Sequence, residues 1–294
     1  MKEPIKTWST PVTTQESRVI PCALCGSLRF APALSCEGFA YLRCASCGLV
    51  QMNPQPIPGE VRFRYNDNHG DAYLAYEAAN ESAFLHLQEL TLKDLGFYDL
   101  EMELNEQNAP RSVLDVGCAT GAMLESLALR GWKTAGVEIS TPQAEYARQQ
   151  RGLTVYAQPL EECGFEGGSF QVVLASHLIE HLNDPASFVR TVNHVLSQGG
   201  RFIVTTPNIE GFQARLFGSR WRSAIFDHLY LFSRRTLQAL LEMHGFMLEG
   251  FVTWGGIAKG LCPDFIKKPA DRWAKRLGIG DVMALRVRKV RDLD

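Results

Sequence analysis

The sequence predicts an α/β protein built on a doubly wound, mainly parallel sheet of seven strands, with a small zinc-binding attachment at the N-terminus. From Ser112 onward, short apolar runs alternate with amphipathic stretches that proline and glycine delimit. This alternation is typical of strands and helices that follow one another along the chain, with helices covering both faces of the sheet. Two cysteine motifs before residue 58 predict the attachment.

Seven strands and the helices between them can be placed from these patterns. The strands are expected at VLDV, TAGVE, LTVYA, FQVVLAS, RFIVTTP, FMLEGFVTW and DVMALRVRKV. Helices are expected at MLESLALRG, TPQAEYARQQRG, DPASFVRTVNHVLSQGG and RRTLQALLEMHG. Gly131 and Gly152 follow the ends of the first two helices, and Pro142 lies in the first turn of the second, as helix-terminus preferences favour.

Length and composition predict one main domain with a smaller unit before it. The chain has 294 residues, of which 46% are hydrophobic, and this is more than a single domain of ~150 residues usually needs. We expect a flexible lead-in at 1–20, a zinc ribbon at 21–58, a helical linker or lid at 59–111, and the main domain at 112–294 with an insertion around 208–232.

The same numbers limit where the protein acts and what it contacts. The N-terminal residues lack the apolar core of a signal peptide, and no run approaches the ~18 apolar residues of a membrane span. We therefore expect a cytoplasmic protein without a membrane span. Its net charge of −2 argues against a large nucleic-acid footprint, although the chain from Gly211 onward has fifteen basic and eight acidic residues.

In the two cysteine motifs, CALCG and CASCG, eighteen residues separate the second cysteine of the first from the first cysteine of the second. Four thiolates that converge from two tight turns can hold a tetrahedral Zn²⁺, and the glycine after each pair allows the turn. The spacing falls within the usual range for such sites. We expect a structural zinc on Cys22, Cys25, Cys44 and Cys47, because a four-cysteine site has no open position for substrate.

A glycine-rich loop follows the first strand, in VLDVGCATG. Gly117 and Gly121 allow a tight turn and the close approach of a ligand, but their spacing is not that of a dinucleotide fingerprint. Glu138 ends the second strand, where a carboxylate can accept hydrogen bonds from both hydroxyls of a ribose. The pattern therefore predicts an adenosine-like ligand whose other end meets the glycine turn.

LDVGCATG together with GVEIS resembles the class I S-adenosylmethionine (SAM)-dependent methyltransferases of types 11 and 23, which have a Rossmann-like sheet. GSFQVVLASHLIEHLNDP is similar to the fourth strand of that family and the segment after it. The resemblance covers about 112–290. Ala119 and Gln171 depart from the family's usual glycine and aspartate.

The resemblance implies a SAM site with assigned roles. Asp115, Gly117 and Gly121 would hold the methionine end, Glu138 the ribose, and Leu160 with Glu161 would flank the adenine. Tyr73 and Tyr76 would close over the methionine carboxylate. Three neighbours of these residues are also expected in the site, namely Cys118, Ile139 and Ser176.

The hexapeptide SHLIEH after the fourth strand contains His177, Glu180 and His181. It matches an inverted zinc-peptidase pattern, but Asp184 and Pro185 begin a new helix where such a site needs a long one. Related methyltransferases have E-x-x-E-H here and use it to bind a divalent ion, so a second metal stays open. Our hypothesis is acid–base chemistry without metal, since imidazole suits proton removal near neutral pH. A packing role for both histidines is the remaining alternative.

The aromatic-rich insertion adds His228 as a candidate general base and Tyr230 as a candidate substrate-binding residue, because such insertions cover the substrate in the family. The zinc motifs resemble the module that begins sugar C-methyltransferases, but the chain is too short for their further domain. We expect methylation of a small-molecule hydroxyl in natural-product, glycan or quinone biosynthesis, with a possible homodimer. The alternatives are an RNA methyltransferase, which the basic C-terminal third favours, and a non-catalytic binding protein.

Overall fold

The computed structural model of this protein describes residues 17–57, 70–256 and 264–293. Thirteen strands lie in these ranges: β1 (Ser17–Arg18), β2 (Phe30–Cys36), β3 (Phe39–Cys44), β4 (Val50–Met52), β5 (Gln55–Pro56), β6 (Ser112–Val116), β7 (Lys133–Val137), β8 (Val155–Tyr156), β9 (Phe170–Ser176), β10 (Leu196–Pro207), β11 (Tyr230–Leu231), β12 (Phe246–Trp254) and β13 (Val282–Lys289).

Eight α-helices lie in the same ranges: α1 (Gly70–Asp94), α2 (Phe97–Glu106), α3 (Ala122–Leu129), α4 (Thr141–Arg151), α5 (Pro185–Val195), α6 (Phe212–Phe217), α7 (Arg234–Met243) and α8 (Asp264–Leu277). Short 3₁₀ turns occupy Leu160–Glu162, Ile179–His181 and Gly218–Arg220. None of these helices has both the length and the apolar composition needed to cross a membrane.

Seven strands form the central sheet in the order β12-β13-β10-β9-β6-β7-β8. The pairs from β10 to β8 are parallel, whereas β13 is antiparallel to both β10 and β12. The chain order reverses between β6 and β9, and the carboxyl ends of strands at such a switch point form a ligand-binding crevice. The predicted doubly wound, mainly parallel fold is confirmed.

Helices cover the sheet because each presents apolar side chains to it. On one face, α5 buries Phe188, Val189 and Val192 in the main apolar core, which also contains Phe202 of β10. On the other face, α2 and α3 pack Phe97 and Leu127 against Val172 and neighbouring residues. Asp184 caps α5 by accepting a hydrogen bond of 2.8 Å from the backbone N–H of Ser187, and Pro185 occupies its first position.

A second sheet joins the N-terminal cysteine segment to the insertion after β10. Its order is β11-β4-β3-β2, with antiparallel pairs throughout. We call residues 20–56 the cysteine module. Since β11 lies in the predicted insertion, the last strand of this sheet comes from the part of the chain that follows the central parallel strands. The cysteine module is therefore joined to the main domain through β11, in the insertion that follows β10.

Candidate functional site

The loop after β6 has the backbone geometry that its glycines predicted. Gly117, Ala119 and Gly121 all have positive φ, and the N–H of Gly117 donates to the carbonyl of Val137 at 2.7 Å. A Cβ at Gly117 would lie 3.5 Å from Cδ1 of Leu178, in the hexapeptide after β9. The loop and the hexapeptide therefore lie side by side at the switch point of the sheet.

Glu138 lies at the end of β7, is almost fully buried, and holds this loop in place. Its Oε2 accepts a hydrogen bond of 3.0 Å from the N–H of Ala119, and its Oε1 accepts one of 2.8 Å from the N–H of Ser140. Burial raises the pKa of Glu138, and these backbone hydrogen bonds counteract the rise. Each carboxylate oxygen keeps a second lone pair, so it can still accept a hydrogen bond from a ribose hydroxyl.

Asp115 occupies the carboxyl end of β6 and is 1% exposed. Burial, with the charge of Glu138 as a smaller cause, raises the pKa of its carboxyl to about 7. Its Oδ2 has no hydrogen-bond partner among the described residues. Asp115 and Ser176 line one small cavity with Thr205. A cationic amino group in this cavity would satisfy the oxygen and stabilise the charge.

Helix α1 covers the loop and adds residues that sequence reasoning missed. Oε2 of Glu81 accepts a hydrogen bond of 3.0 Å from the hydroxyl of Thr120. The same oxygen forms an ion pair with the guanidinium of Arg151 in α4, at 2.5 Å. Glu77, one turn earlier, has a pKa raised to about 7 by burial and by the charges of Glu138 and Glu81. No local sequence signal marks these contacts, because they join residues at least 39 positions apart.

The hexapeptide leaves β9 with an abrupt change of direction. His177 has a φ of 52°, and its N–H donates to the carbonyl of Thr205 at 2.9 Å. Its side chain is 47% exposed, and Nδ1 lies 3.4 Å from Oε1 of Glu180. Positive φ is uncommon for a residue other than glycine, and local strain of this kind is frequent at functional sites.

Glu180 is fully buried and lies between three histidines. Its Oε2 accepts a hydrogen bond of 2.9 Å from the hydroxyl of Thr206, and its Oε1 faces Nδ1 of His177 at 3.4 Å. Burial alone would raise the pKa of Glu180, but His177, His181 and His228 outweigh it and lower the pKa to about 2. Glu180 is therefore ionised at neutral pH.

His181 and His228 face each other beside this carboxylate. Nδ1 of His181 lies 2.9 Å from the carbonyl oxygen of Asp227, and Nδ1 of His228 lies 2.8 Å from that of Ser223. A carbonyl only accepts, so each Nδ1 carries the proton and each Nε2 is left as a base or ligand. Burial, followed by the charge of His181, lowers the pKa of His228 to about 3, so that its ring is neutral.

Glu180, His181 and His228 can therefore act as a base or as a cation site. One ring nitrogen from each histidine and one carboxylate oxygen lie within 4.8 Å of one another. One carboxylate with two neutral imidazoles suits a divalent transition-metal ion, and ring N–H groups held by carbonyls are the usual outer contacts of histidine ligands. We call these three residues the Glu–His–His cluster.

The four cysteines of the predicted zinc site also come together. Sγ of Cys22 lies 3.4 Å from that of Cys47, and Sγ of Cys25 lies 3.5 Å from that of Cys44. The four sulfur atoms lie within 4.8 Å of one another, as ligands of one tetrahedral ion must. Backbone N–H contacts with the sulfur and the neighbouring thiols outweigh burial and lower the pKa of Cys44 to about 6. The donor set fits Zn²⁺.

Other predicted residues lie farther from these two clusters or have different contacts. Tyr230 is fully buried, its hydroxyl donates to the carbonyl of Asn183 at 3.2 Å, and burial raises its pKa to about 12. Leu160 and Glu161 line a separate surface cavity of about 450 Å³ with His194. The remaining predicted residues are half-buried Ile139, buried Cys118, exposed Tyr76 on α1, and Tyr73, whose side chain is outside the described part of the chain.

A profile of the methyltransferase domain family matches residues 94–249, which is more than half of the chain. The match includes the glycine loop, Glu138 and the Glu–His–His cluster, and excludes the cysteine module.

Several curated relatives are named ubiquinone biosynthesis O-methyltransferase. The protein from Ruegeria sp. is 29% identical over 146 residues, which are 46% of this chain and 59% of the relative. The protein from Pseudomonas paraeruginosa is 31% identical over 134 residues, 44% of this chain and 56% of the relative. The Acinetobacter baylyi protein is 33% identical over 107 residues, 34% and 45% of the two chains. The chain spans about half the length of these relatives.

Solved structures share the fold at low identity. A chain from the complex between the Haloferax volcanii Trm112 methyltransferase activator and a candidate methyltransferase has a TM-score of 0.56 and 16% identity. The match covers 76% of this chain and 97% of that one. It supports the sheet topology described above.

Proposed function

Because this chain belongs to the class I SAM-dependent methyltransferase family, we propose that it transfers the methyl group of SAM to a hydroxyl of a small-molecule acceptor. The proximity of Gly117 to Leu178 carries this proposal, since a Cβ added at Gly117 would touch the Leu178 side chain and the cofactor loop therefore lies beside the hexapeptide that leads to the Glu–His–His cluster. An acceptor at that cluster would lie next to a methyl donor in the loop. Asp115 would hold the amino group of the donor and Glu138 its ribose.

The chemistry requires alignment and removal of one proton. The sulfonium of SAM activates its own methyl group, so the protein has to place an acceptor oxygen in line with it and exclude water. His181 can accept the hydroxyl proton at Nε2, because its Nδ1 proton is held by the carbonyl of Asp227. Ionised Glu180 would stabilise the imidazolium that results, and His177 lies at the exposed side of the same carboxylate.

A divalent ion on Glu180, His181 and His228 is a second way for this site to act, and the convergence of one carboxylate oxygen and two ring nitrogens within 4.8 Å favours it. Such an ion would supply Lewis-acid activation of an acceptor oxygen. The residues fit this role, since Thr206 holds the other carboxylate oxygen and backbone carbonyls hold both histidine rings.

The cysteine module, in this proposal, is a zinc ribbon that binds one structural Zn²⁺ through Cys22, Cys25, Cys44 and Cys47. The convergence of the four sulfur atoms supports it. We further propose that the ribbon spans about 21–58, that the segment 59–111 forms a lid through α1, and that the catalytic domain follows from 112.

The curated relatives bear on the acceptor class. Their name, ubiquinone biosynthesis O-methyltransferase, supports a quinone-type acceptor. An RNA acceptor receives less support. Some of the basic residues near the C-terminus are engaged in ion pairs, because Arg286 and Arg288 both contact Glu249.

The test is transfer of labelled methyl from SAM into a fractionated cell extract, with the His181→Ala variant as matched control. Label in a nuclease-resistant, low-molecular-weight fraction, reduced by His181→Ala, supports the proposal and provides the acceptor for identification. Label that nuclease releases would replace it with RNA methylation. Absence of label with every fraction, despite SAM binding, would contradict methyl transfer by this chain.

A further inference from the structure

Tyr41 connects the cysteine module to the Glu–His–His cluster. It lies in β3, three residues before Cys44, and is fully buried. Its hydroxyl lies 2.7 Å from the carbonyl oxygen of Ile225 and 2.8 Å from that of His228. A tyrosine hydroxyl has one proton, so these two carbonyls share it.

The turn that Tyr41 holds is the turn that presents both histidines. The two carbonyls belong to Ile225 and His228, and the N–H of His228 donates to the carbonyl of Ile225 at 3.1 Å. Between them lies Asp227, whose carbonyl accepts the Nδ1 proton of His181. Displacement of this turn would therefore move the ring of His228 and also the contact that orients His181.

A second connection passes through the backbone of Leu229. Its N–H donates to the carbonyl of Glu180 at 2.7 Å, and its carbonyl accepts from the N–H of Met52 in β4 at 2.8 Å. Met52 in turn pairs with Tyr41 across the sheet, and Tyr230 pairs with Gln51. One residue thus separates the cysteine module from the backbone of the cluster's carboxylate.

The cysteines are tied to the same strands. Cys44 is the last residue of β3, and its N–H donates to the carbonyl of Leu49, just before β4. The side chain of Gln51 accepts from the N–H of Ala23 at 3.1 Å and donates to the carbonyl of Pro21 at 3.1 Å, which fixes the first cysteine turn to β4. The position of β3 and β4 therefore depends on both cysteine turns.

We propose that the cysteine module is part of the catalytic apparatus and that Tyr41 is a positioning residue, which holds the 225–228 turn so that His228 and His181 face Glu180. This inference rests on the proposed function. Catalysis requires that reactive groups be placed to well within about 1 Å. A hydroxyl that fixes the turn therefore affects turnover without contacting substrate. The zinc expected at the cysteines would then act on catalysis through β3 and β4.

The experiment compares Tyr41→Phe with the wild-type chain and with Tyr98→Phe. Tyr41→Phe removes only the hydroxyl and keeps the buried ring. We expect kcat for methyl transfer to fall about tenfold, the range seen for outer contacts of functional histidines, while the Kd for SAM stays unchanged. Tyr98→Phe, on α2 at the other side of the sheet, should change neither value. An unchanged kcat in Tyr41→Phe would overturn the proposal, as would equal losses in kcat and SAM affinity.

A second measurement does not depend on turnover. In a chain labelled with ¹³C-histidine, we expect the ring signals of His181 and His228 to shift in Tyr41→Phe, with those of His86 and His244 unchanged. Shifted signals in a chain without methyl transfer would leave the positioning contact in place and remove only the proposed function. Signals that keep their wild-type positions would overturn the positioning role whether or not the chain transfers methyl groups.

Discussion

The rings of His181 and His228 lie edge to face, with their centroids 4.7 Å apart. The two residues are 47 positions apart in the chain, yet each has its Nδ1 proton held by a backbone carbonyl. Ionised Glu180 lies beside both rings, with a carboxylate oxygen and one nitrogen of each ring within 4.8 Å of one another. The three side chains contact one another, so we expect them to act as a unit.

The first prediction concerns this cluster. We expect His181→Ala and Glu180→Gln each to lower kcat by about 10²-fold or more, because both remove the base or its stabilising charge. The double variant should cost no more than the more damaging single variant, since residues that act as a unit are not additive. His177→Ala, at the exposed side, serves as the comparison and should cost less. Full activity in His181→Ala would contradict the assignment.

Metal content separates the two chemistries of the cluster. If Glu180 and the histidines hold a cation, purified protein should contain a second ion besides that of the cysteines, and His181→Ala should lose it. The measurement is elemental analysis per chain after dialysis. Loss of kcat in His181→Ala without any second ion in the wild type would support proton removal without metal.

The second prediction concerns the pH dependence of SAM binding. The pKa of Asp115 is raised to about 7 in the free chain, so its carboxyl is largely protonated at pH 6. Pairing with the cationic amino group of SAM requires the ionised form, and binding should therefore release a proton. We expect the Kd for SAM to rise as pH falls below 7, approaching about tenfold per pH unit. Calorimetric titration between pH 5.5 and 8.5 checks this.

The stability of the chain without SAM should change with pH in the opposite direction to its affinity for SAM. A carboxyl whose pKa is raised by folding favours the folded state at low pH, and this contribution is lost as pH rises through the folded-state pKa. The melting temperature without SAM should therefore fall as pH rises through about 7, since both Asp115 and Glu77 have pKa values near that pH. Asp115→Asn should weaken the pH dependence of both the Kd for SAM and the melting temperature. Glu77→Gln tests how much Glu77 of α1 contributes to the pH dependence of the melting temperature. If the Kd of the wild-type chain for SAM does not change with pH, Asp115 is excluded from the cofactor site.

The third prediction concerns the cysteines. We expect one zinc per chain from the cysteine module, lost in Cys25→Ser, because three thiolates hold Zn²⁺ less well than four. Cys36→Ser is the matched control, since Cys36 lies in β2 with its Sγ 3.8 Å from the carbonyl of Ser219 and outside the cluster. Zinc content and thermal unfolding measure both effects. Equal zinc in Cys25→Ser and wild-type protein would show that the four cysteines do not hold the ion.

The central sheet was predictable because its strands are marked by local patterns. Buried parallel strands are continuous apolar runs, and the glycine loop and Glu138 follow two of them directly. The joining of β11 to the cysteine module was not predictable, since a strand of two residues carries no periodic signal. The covering of the loop by Glu77 and Glu81, and the meeting of His181 with His228, likewise depend on tertiary packing between distant segments.

Tyr230 shows that the burial of a side chain in a short strand also lacks a local sequence signal. The sequence places it beside His228 in an aromatic insertion, which makes a substrate contact a reasonable expectation. In the structure it pairs with Gln51 of β4 and donates to the carbonyl of Asn183 from a fully buried position. Leu229, Leu231 and Phe232 beside it are buried as well, so the burial of this segment comes from packing between distant parts of the chain and has no local pattern.

The last prediction separates the two glycines of the cofactor loop. Both have positive φ, 76° at Gly117 and 80° at Gly121, so alanine at either position costs about 1–2 kcal/mol of backbone strain. A Cβ at Gly121 would also lie 2.6 Å from Cδ1 of Leu153, whereas one at Gly117 would lie 3.5 Å from its nearest atom. We therefore expect Gly121→Ala to destabilise the protein more than Gly117→Ala in urea denaturation.

SAM binding should show a different pattern. A Cβ at Gly117 would make ordinary van der Waals contact with the Leu178 side chain, so the protein itself accommodates it. In the proposed SAM site the same Cβ would hinder the close approach of the donor to the loop backbone. Gly117→Ala should therefore fold with a modest loss of stability and lose SAM affinity by more than tenfold, an effect of about 1.4 kcal/mol or more. If Gly117→Ala binds SAM as the wild type does, the donor approaches the loop elsewhere, and Asp115 would have to be tested as its main contact.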